Sequence, residues 1–134
     1  MQFRFTDDQI MISDTADVFL SEVSSSKAVR TAMATEVGYD DEVWGRIVEE
    51  MVWTGIHVPE FFGGLSLGYV ELTIILEKMG RYLLCSPFYS SVCLAQNALL
   101  IAGSESQKLE YLKRLIGGEK ATLAYTSGGH TWDS

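Results

Sequence analysis

Apolar positions recur at intervals of three and four along most of the chain, and turn-forming residues divide the pattern into separate helices. Ile12, Ala16, Phe19, Leu20 and Val23 follow i, i+4, i+7, i+8 and i+11, the period of one buried helical face. Thr6 and, three residues later, Gln9 form a capping-box pattern, in which each side chain satisfies the other's orphan backbone N–H. Phe5 and Ile10 occupy the two positions of a hydrophobic staple, and Asp7 and Asp8 fall in the first turn, where they complement the helix dipole. The run Ser24-Ser25-Ser26 ends or loosens this helix. Residues 27–38 are weakly patterned and read as a loop or a short helix.

Asp40 caps the next helix, whose stripe is Trp44, Ile47, Val48, Met51 and Val52, and Gly55 is expected to stop it. Ile56 to Leu67 holds Pro59 and the pair Gly63-Gly64, which exclude regular helix. Tyr69 to Met79 is apolar nearly all round, as in a helix surrounded by others, with Gly80 as its end. Ser86 and Pro87 form an N-cap and first-turn pair ahead of Phe88 to Ala102, which is again largely apolar and stops at Gly103. Ser104 and Gln107 repeat the capping box before Leu109, Leu112, Leu115 and Ile116, and Gly117-Gly118 closes that helix. The pattern therefore predicts an all-α fold, an orthogonal or up-down bundle of five to six helices. Lys120 to Thr126 then alternates loosely, with β-branched and aromatic residues, as a short strand does. Ser127-Gly128-Gly129-His130 follows as a turn-like cluster. A lone strand is not stable without a partner. The expected division is a helical domain over residues 1–119 and, over residues 120–134, the start of an incomplete β domain.

Composition agrees with a folded domain: of 134 residues, 47% are hydrophobic and 21% charged. The formal charge of −8 is uneven, since residues 1–60 hold twelve acids and four bases and the remainder holds six of each. That balance excludes the basic stripe of a nucleic-acid-binding domain and gives no polybasic handle for anionic lipid. Cys85 and Cys93 form neither a disulfide framework nor a zinc motif. The start, MQFRFTDDQ, is too polar for a signal peptide, and no apolar run reaches membrane-spanning length. A cytoplasmic location is expected.

Little in the residues points to chemistry. His57 and His130 are the only histidines, and a histidine in a Pro/Gly-bounded loop reads as structural or solvated. Hydrolase, zinc-protease and nucleotide-loop motifs are absent. The adjacent acids Asp40-Asp41 and Glu49-Glu50 read as helix cap and surface, and the cysteines as inert core. From the residues alone the chain does not look like a complete enzyme.

Several segments taken together resemble one family, the acyl-CoA dehydrogenases, in the family's order and spacing from residue 3 to 126. These are the start Phe3 to Gln9, the loop WTGIHVPEFFGGL over Trp53 to Leu65, Glu77 to Arg81, Gly103 to Lys108 with Tyr111, Leu112 and Leu115, and Gly118 to Ala121. The resemblance implies an N-terminal helical domain, followed in such enzymes by a β domain and a C-terminal four-helix domain, assembled as homo- or hetero-oligomers. It implies FAD as cofactor, an acyl-CoA thioester as substrate, and electron-transfer flavoprotein or a similar acceptor as partner. The family's carboxylate base lies in the C-terminal domain, so no catalytic residue is assigned in this chain.

The same resemblance assigns acyl contacts to Ser90, Ser91 and Leu94, on the helix that lines the family's acyl pocket. It assigns flavin contacts to Leu123, Tyr125 and Thr126, although Ser127 and Gly128 stand where the family usually carries Glu-Pro. No metal site is implied. Some divergent members pair a flavin-binding subunit with one that has lost the site. The alternative is thus a flavin-less subunit of a heteromeric dehydrogenase, or a non-catalytic helical interaction module that associates through the apolar segments 69–79 and 88–102.

Overall fold

The computed structural model describes residues 4–124. Six helices make up the fold: α1 (Asp7–Val23), α2 (Ser26–Met33), α3 (Asp41–Glu49), α4 (Tyr69–Arg81), α5 (residues 89–102) and α6 (residues 105–116). Two short 3₁₀ turns, Trp53–Gly55 and Glu60–Phe62, lie between α3 and α4. The all-α class and the number of helices are as the periodicity predicts.

Local chemistry sets most helix starts. Thr6 and Gln9 form the reciprocal capping box, with Gln9 N–H donating to Thr6 Oγ1 at 3.2 Å and Thr6 N–H to Gln9 Oε1 at 3.0 Å. Asp40 caps α3, accepting from the Glu42 and Val43 amides, and Ser104 with Gln107 caps α6. Phe5 and Ile10 remain exposed, at 50% and 38%.

Of the two structures the weak pattern leaves open after α1, residues 26–33 take the short helix because Ser25 caps them, accepting from Ala28 N–H, although Ala32 is their only buried side chain. Three expectations need correction. Helix α3 stops at Glu49, well before Gly55: both the Glu50 and Met51 amides donate to Arg46 O, and Val52 takes a left-handed φ of 55°. Helix α4 passes through Gly80 to Arg81. Leu83, at φ 52°, occupies the left-handed capping position, with Leu83 N–H on Gly80 O and Leu84 N–H on Met79 O, the paired bonds of a Schellman motif. Nor is α4 buried all round. Leu72, Ile74, Ile75 and Met79 are inside, while Tyr69 and Val70 are 58% and 51% exposed.

Helices α1 and α4 form the principal packed pair and run parallel. Gln9 Nε2 donates to Glu71 Oε1 near their starts at 2.8 Å, Lys78 Nζ reaches Asp17 midway at 3.2 Å, and Ser24 Oγ donates to Tyr82 O past their ends at 2.9 Å. Their inner faces join Trp44 and Ile47 of α3, the turn residues Trp53 and Ile56, and Phe88 and Val92 around α5 in one core. Phe19 and Trp53 meet edge to face with centroids 5.4 Å apart.

The loop between α3 and α4 folds back on itself. Leu65, Ser66 and Leu67 amides donate to Gly55, Val58 and Ile56 carbonyls at 2.9 Å each. This return requires glycine at position 64, where a Cβ would sit 2.0 Å from Val58 O. His57 is carried inward by the same loop, 8% exposed, its ring 5.5 Å from that of Tyr69 and both nitrogens without a hydrogen-bond partner among the described residues. Burial pushes its pKa down, with the Asn97 side chain opposing. After α6, residues 119–124 carry no regular secondary structure, and the remainder of the expected strand lies outside the described residues.

Three outcomes follow. Gly64→Ala should destabilise the chain by about 3 kcal/mol or more in urea unfolding, since the obstacle is backbone and not a side chain that can swing away. Leu83→Gly should stabilise it by about 1 kcal/mol, because the left-handed turn then carries no Cβ. The third concerns pH. A depressed folded pKa for His57 means that the unfolded chain binds the proton more readily, so the histidine's share of stability is present above about pH 6.5 and falls as the pH drops. Unfolding free energy between pH 7 and pH 5 should therefore decline more steeply in the wild type than in His57→Leu.

Candidate functional site

Helix α5 carries Ser90, Ser91 and Leu94, and the segment that leaves α6 carries Leu123; of these four, only Leu123 lines the groove beside α5. The first turns of α5, Tyr89–Gln96, are π-helical, wider than an α-helix. Ser90 is half-buried and its hydroxyl donates to Pro87 O at 3.0 Å. Leu94, four residues on, is also half-buried. Ser91 is only 1% exposed. Its hydroxyl donates to Ala121 O at 3.2 Å and accepts from Ala121 N–H at 3.0 Å. The chain two residues before Leu123 is thereby fastened to α5. Leu123 follows, 41% exposed, while Tyr125 and Thr126 lie outside the described residues.

Between α5, α6 and this segment runs a groove of about 460 Å³. Ala95, Ala98 and Ala102 open it on α5, Tyr111 and Leu115 wall it from α6, and Leu123 borders it. The sequence carried a signal for this groove, three alanines at i, i+3 and i+7 in an otherwise bulky helix, which the motif reading passed over. The charged pair at its edge is internally matched, with Arg114 and Glu119 at 2.9 Å, a contact that raises the Arg114 pKa.

Polar contacts from the rest of the bundle place the α6 exit. Thr54, fully buried, donates its hydroxyl to Ile116 O at 2.7 Å, and Trp44 Nε1 donates to Gly118 O at 2.9 Å. Lys120 pairs with Asp41 at 2.8 Å and lies 4.9 Å from the Tyr39 ring centre. Gln96, also fully buried, donates its amide to Thr54 O at 2.8 Å. A glutamine inside an apolar helix is the sequence-level trace of that contact, and the helical periodicity did not single it out.

Reactive groups are quiet. The Cys93 thiol is half-buried and burial pushes its pKa up to about 11. Among the described residues no group of three His, Cys, Asp or Glu side chains is placed to hold a metal ion. No helix among them is long and apolar enough to cross a membrane. The arrangement offers shape and an apolar lining.

Residues 6–119 match the family described as acyl-CoA dehydrogenase, N-terminal domain. The chain is 30% identical to the acyl-CoA dehydrogenase IpdE2 of Mycolicibacterium smegmatis, over 96% of this chain and 46% of that protein. It is also 30% identical to the mitochondrial isovaleryl-CoA dehydrogenase of Arabidopsis thaliana, over 86% of this chain and 28% of that protein. Its fold superposes on a chain of the ChsE4–ChsE5 complex from Mycobacterium tuberculosis with a TM-score of 0.79 and 24% identity, covering 88% of this chain and 32% of that one. The chain thus spans less than half the length of these relatives. With its bundle, its capped helices and its V-P-E-containing loop, the chain belongs to the acyl-CoA dehydrogenase family, as that family's N-terminal domain.

Proposed function

We propose that this chain is the helical wall of an FAD-dependent acyl-CoA dehydrogenase that introduces a double bond between the α and β carbons of an acyl-CoA thioester. The observation that carries the reading is the match of residues 6–119 to the family's N-terminal domain. The small-residue groove on α5 supports it, since Ala95, Ala98 and Ala102 leave room for an aliphatic chain beside the helix.

On this reading Ser90 and Leu94 face the acyl chain, and Ser91 holds the neighbouring segment in place behind them. Leu123 offers an apolar edge of a kind that suits a planar aromatic ring system, and the family resemblance assigns Tyr125 and Thr126 to the same cofactor. When bound, FAD supplies the hydride acceptor for the β-carbon. The chain's own contribution is to exclude water. A thioester α-proton becomes acidic enough to remove only where the carbonyl is polarised and the site is dry. The removing base lies in another domain, so residues 1–134 alone have no dehydrogenase activity. Electron-transfer flavoprotein or a similar acceptor takes the electrons onward.

A second reading is a flavin-less subunit of a heteromeric dehydrogenase, or an interaction module. Exposed apolar side chains on α4 and α5 favour it: Tyr69, Val70, Tyr89 and Ile101 are between 51% and 81% exposed, a surface suited to covering by another domain or subunit.

An absorption spectrum separates the readings. Purified residues 1–134 should show no flavin bands and should not reduce a dye acceptor with any acyl-CoA, whereas a longer protein containing these residues should be yellow and active. Flavin absent from the longer protein would transfer the weight to the second reading, and activity in residues 1–134 alone would refute the placement of the base elsewhere.

A further inference from the structure

Ser91, one of the expected acyl contacts, and Ala121, thirty residues on and two before Leu123, meet at one hydroxyl. Ser91 has one hydroxyl proton to give, which goes to Ala121 O, and its lone pairs accept from Ala121 N–H. Both backbone polar groups of a single residue in an irregular segment are thus satisfied by one side chain. A strand partner would normally do this, and among the described residues none pairs with residues 119–124. At 1% exposure the hydroxyl has no access to solvent as an alternative partner. The contacts on either side do not substitute for it: Lys120 is tied to Asp41 on an exposed surface, and Leu123 lines the groove with an apolar side chain.

We infer that Ser91 is a positioning residue, a two-way hydroxyl clamp that fixes the register of residues 119–123 against the first turns of α5, so that Leu123 borders the alanine groove. Its consequence for the flavin and the acyl chain rests on the dehydrogenase reading; the clamp itself does not. Serine suits the position for a physical reason. Alanine leaves two backbone groups unpaired, and at 1% exposure no solvent replaces the hydroxyl. Ser90 is the natural contrast, because its hydroxyl donates within its own turn to Pro87 O and reaches nothing across the groove.

Amide hydrogen exchange in residues 1–134 tests the clamp without flavin or substrate. In Ser91→Ala the Ala121 amide should exchange at least about tenfold faster than in the wild type, the loss expected for one protecting hydrogen bond. Ser91→Thr, which keeps the hydroxyl, should restore protection to within about threefold. Ser90→Ala should leave the Ala121 amide unchanged. Protection of the α5 amides in every variant provides the check that the bundle stays folded. An Ala121 amide that exchanges equally fast in wild type and Ser91→Ala would overturn the clamp, as would equal acceleration in Ser90→Ala and Ser91→Ala. If Ser91→Ala proves too unstable to assign, Ser91→Thr and Ser91→Cys decide it: protection should persist in the first and weaken in the second, and the reverse order sinks the proposal. None of these outcomes depends on whether a longer protein carries flavin, so failure here and failure of the dehydrogenase reading are separately visible.

Discussion

Thr54 is the point on which the packing of this domain turns. It is fully buried, and a buried hydroxyl left without a partner costs about 1–3 kcal/mol, so its bond to Ile116 O obliges the end of α6 to lie against the turn Trp53–Gly55. Its carbonyl accepts from Gln96, which obliges the middle of α5 to lie there too. Gly55 beside it permits the close approach: a Cβ there would lie 3.3 Å from Ile116 Cγ2 and 3.5 Å from the Gly64 backbone. Once Ile116 is placed, the chain leaving it is placed in sequence. Gly118, at φ 96°, turns its carbonyl to the Trp44 indole, Lys120 reaches Asp41, and Ala121 arrives at Ser91. The groove along α5 is a consequence of this order of contacts.

What could be read from the sequence was what local chemistry decides. The capping boxes at Thr6 and Ser104 and the Asp40 cap involve residues two or three apart, and the buried stripe of α1 is a matter of period. What could not be read was decided at a distance. Helix α2 has no apolar stripe to announce it, because its inner face is built on Ala28 and Ala32 over the junction with α3. Helices α3 and α4 do not end at the glycines that the pattern offers as stops, because Val52 and Leu83 adopt the left-handed turns themselves. Of the site, the residence of Ser90, Ser91 and Leu94 on one helix was legible, whereas the run through Leu123, which the alternation predicts as a strand, is irregular over its described residues. The partner of the Ser91 hydroxyl was not, since nothing local points from position 91 to position 121.

The charge distribution adds a last step. Arg46, Lys78, Arg81, Lys108, Arg114 and Lys120 all stand in ion pairs, yet most of these pairs have a partner well exposed to solvent, where such contacts stabilise little. The formal charge of −8 is therefore a property of the surface and not of the core that holds the helices together. The groove on α5 meets that surface at Arg114, Glu119 and Lys120, whose charges are matched by each other and by Asp41, and the rest of its lining is largely apolar. The Cys93 thiol, on the same helix, is held protonated by burial. His57, the one imidazole among the described residues, is enclosed by a different loop and disfavoured as a cation. Among the described residues the groove lining holds no histidine or cysteine, so what this wall offers a bound group is its shape and its largely apolar surface.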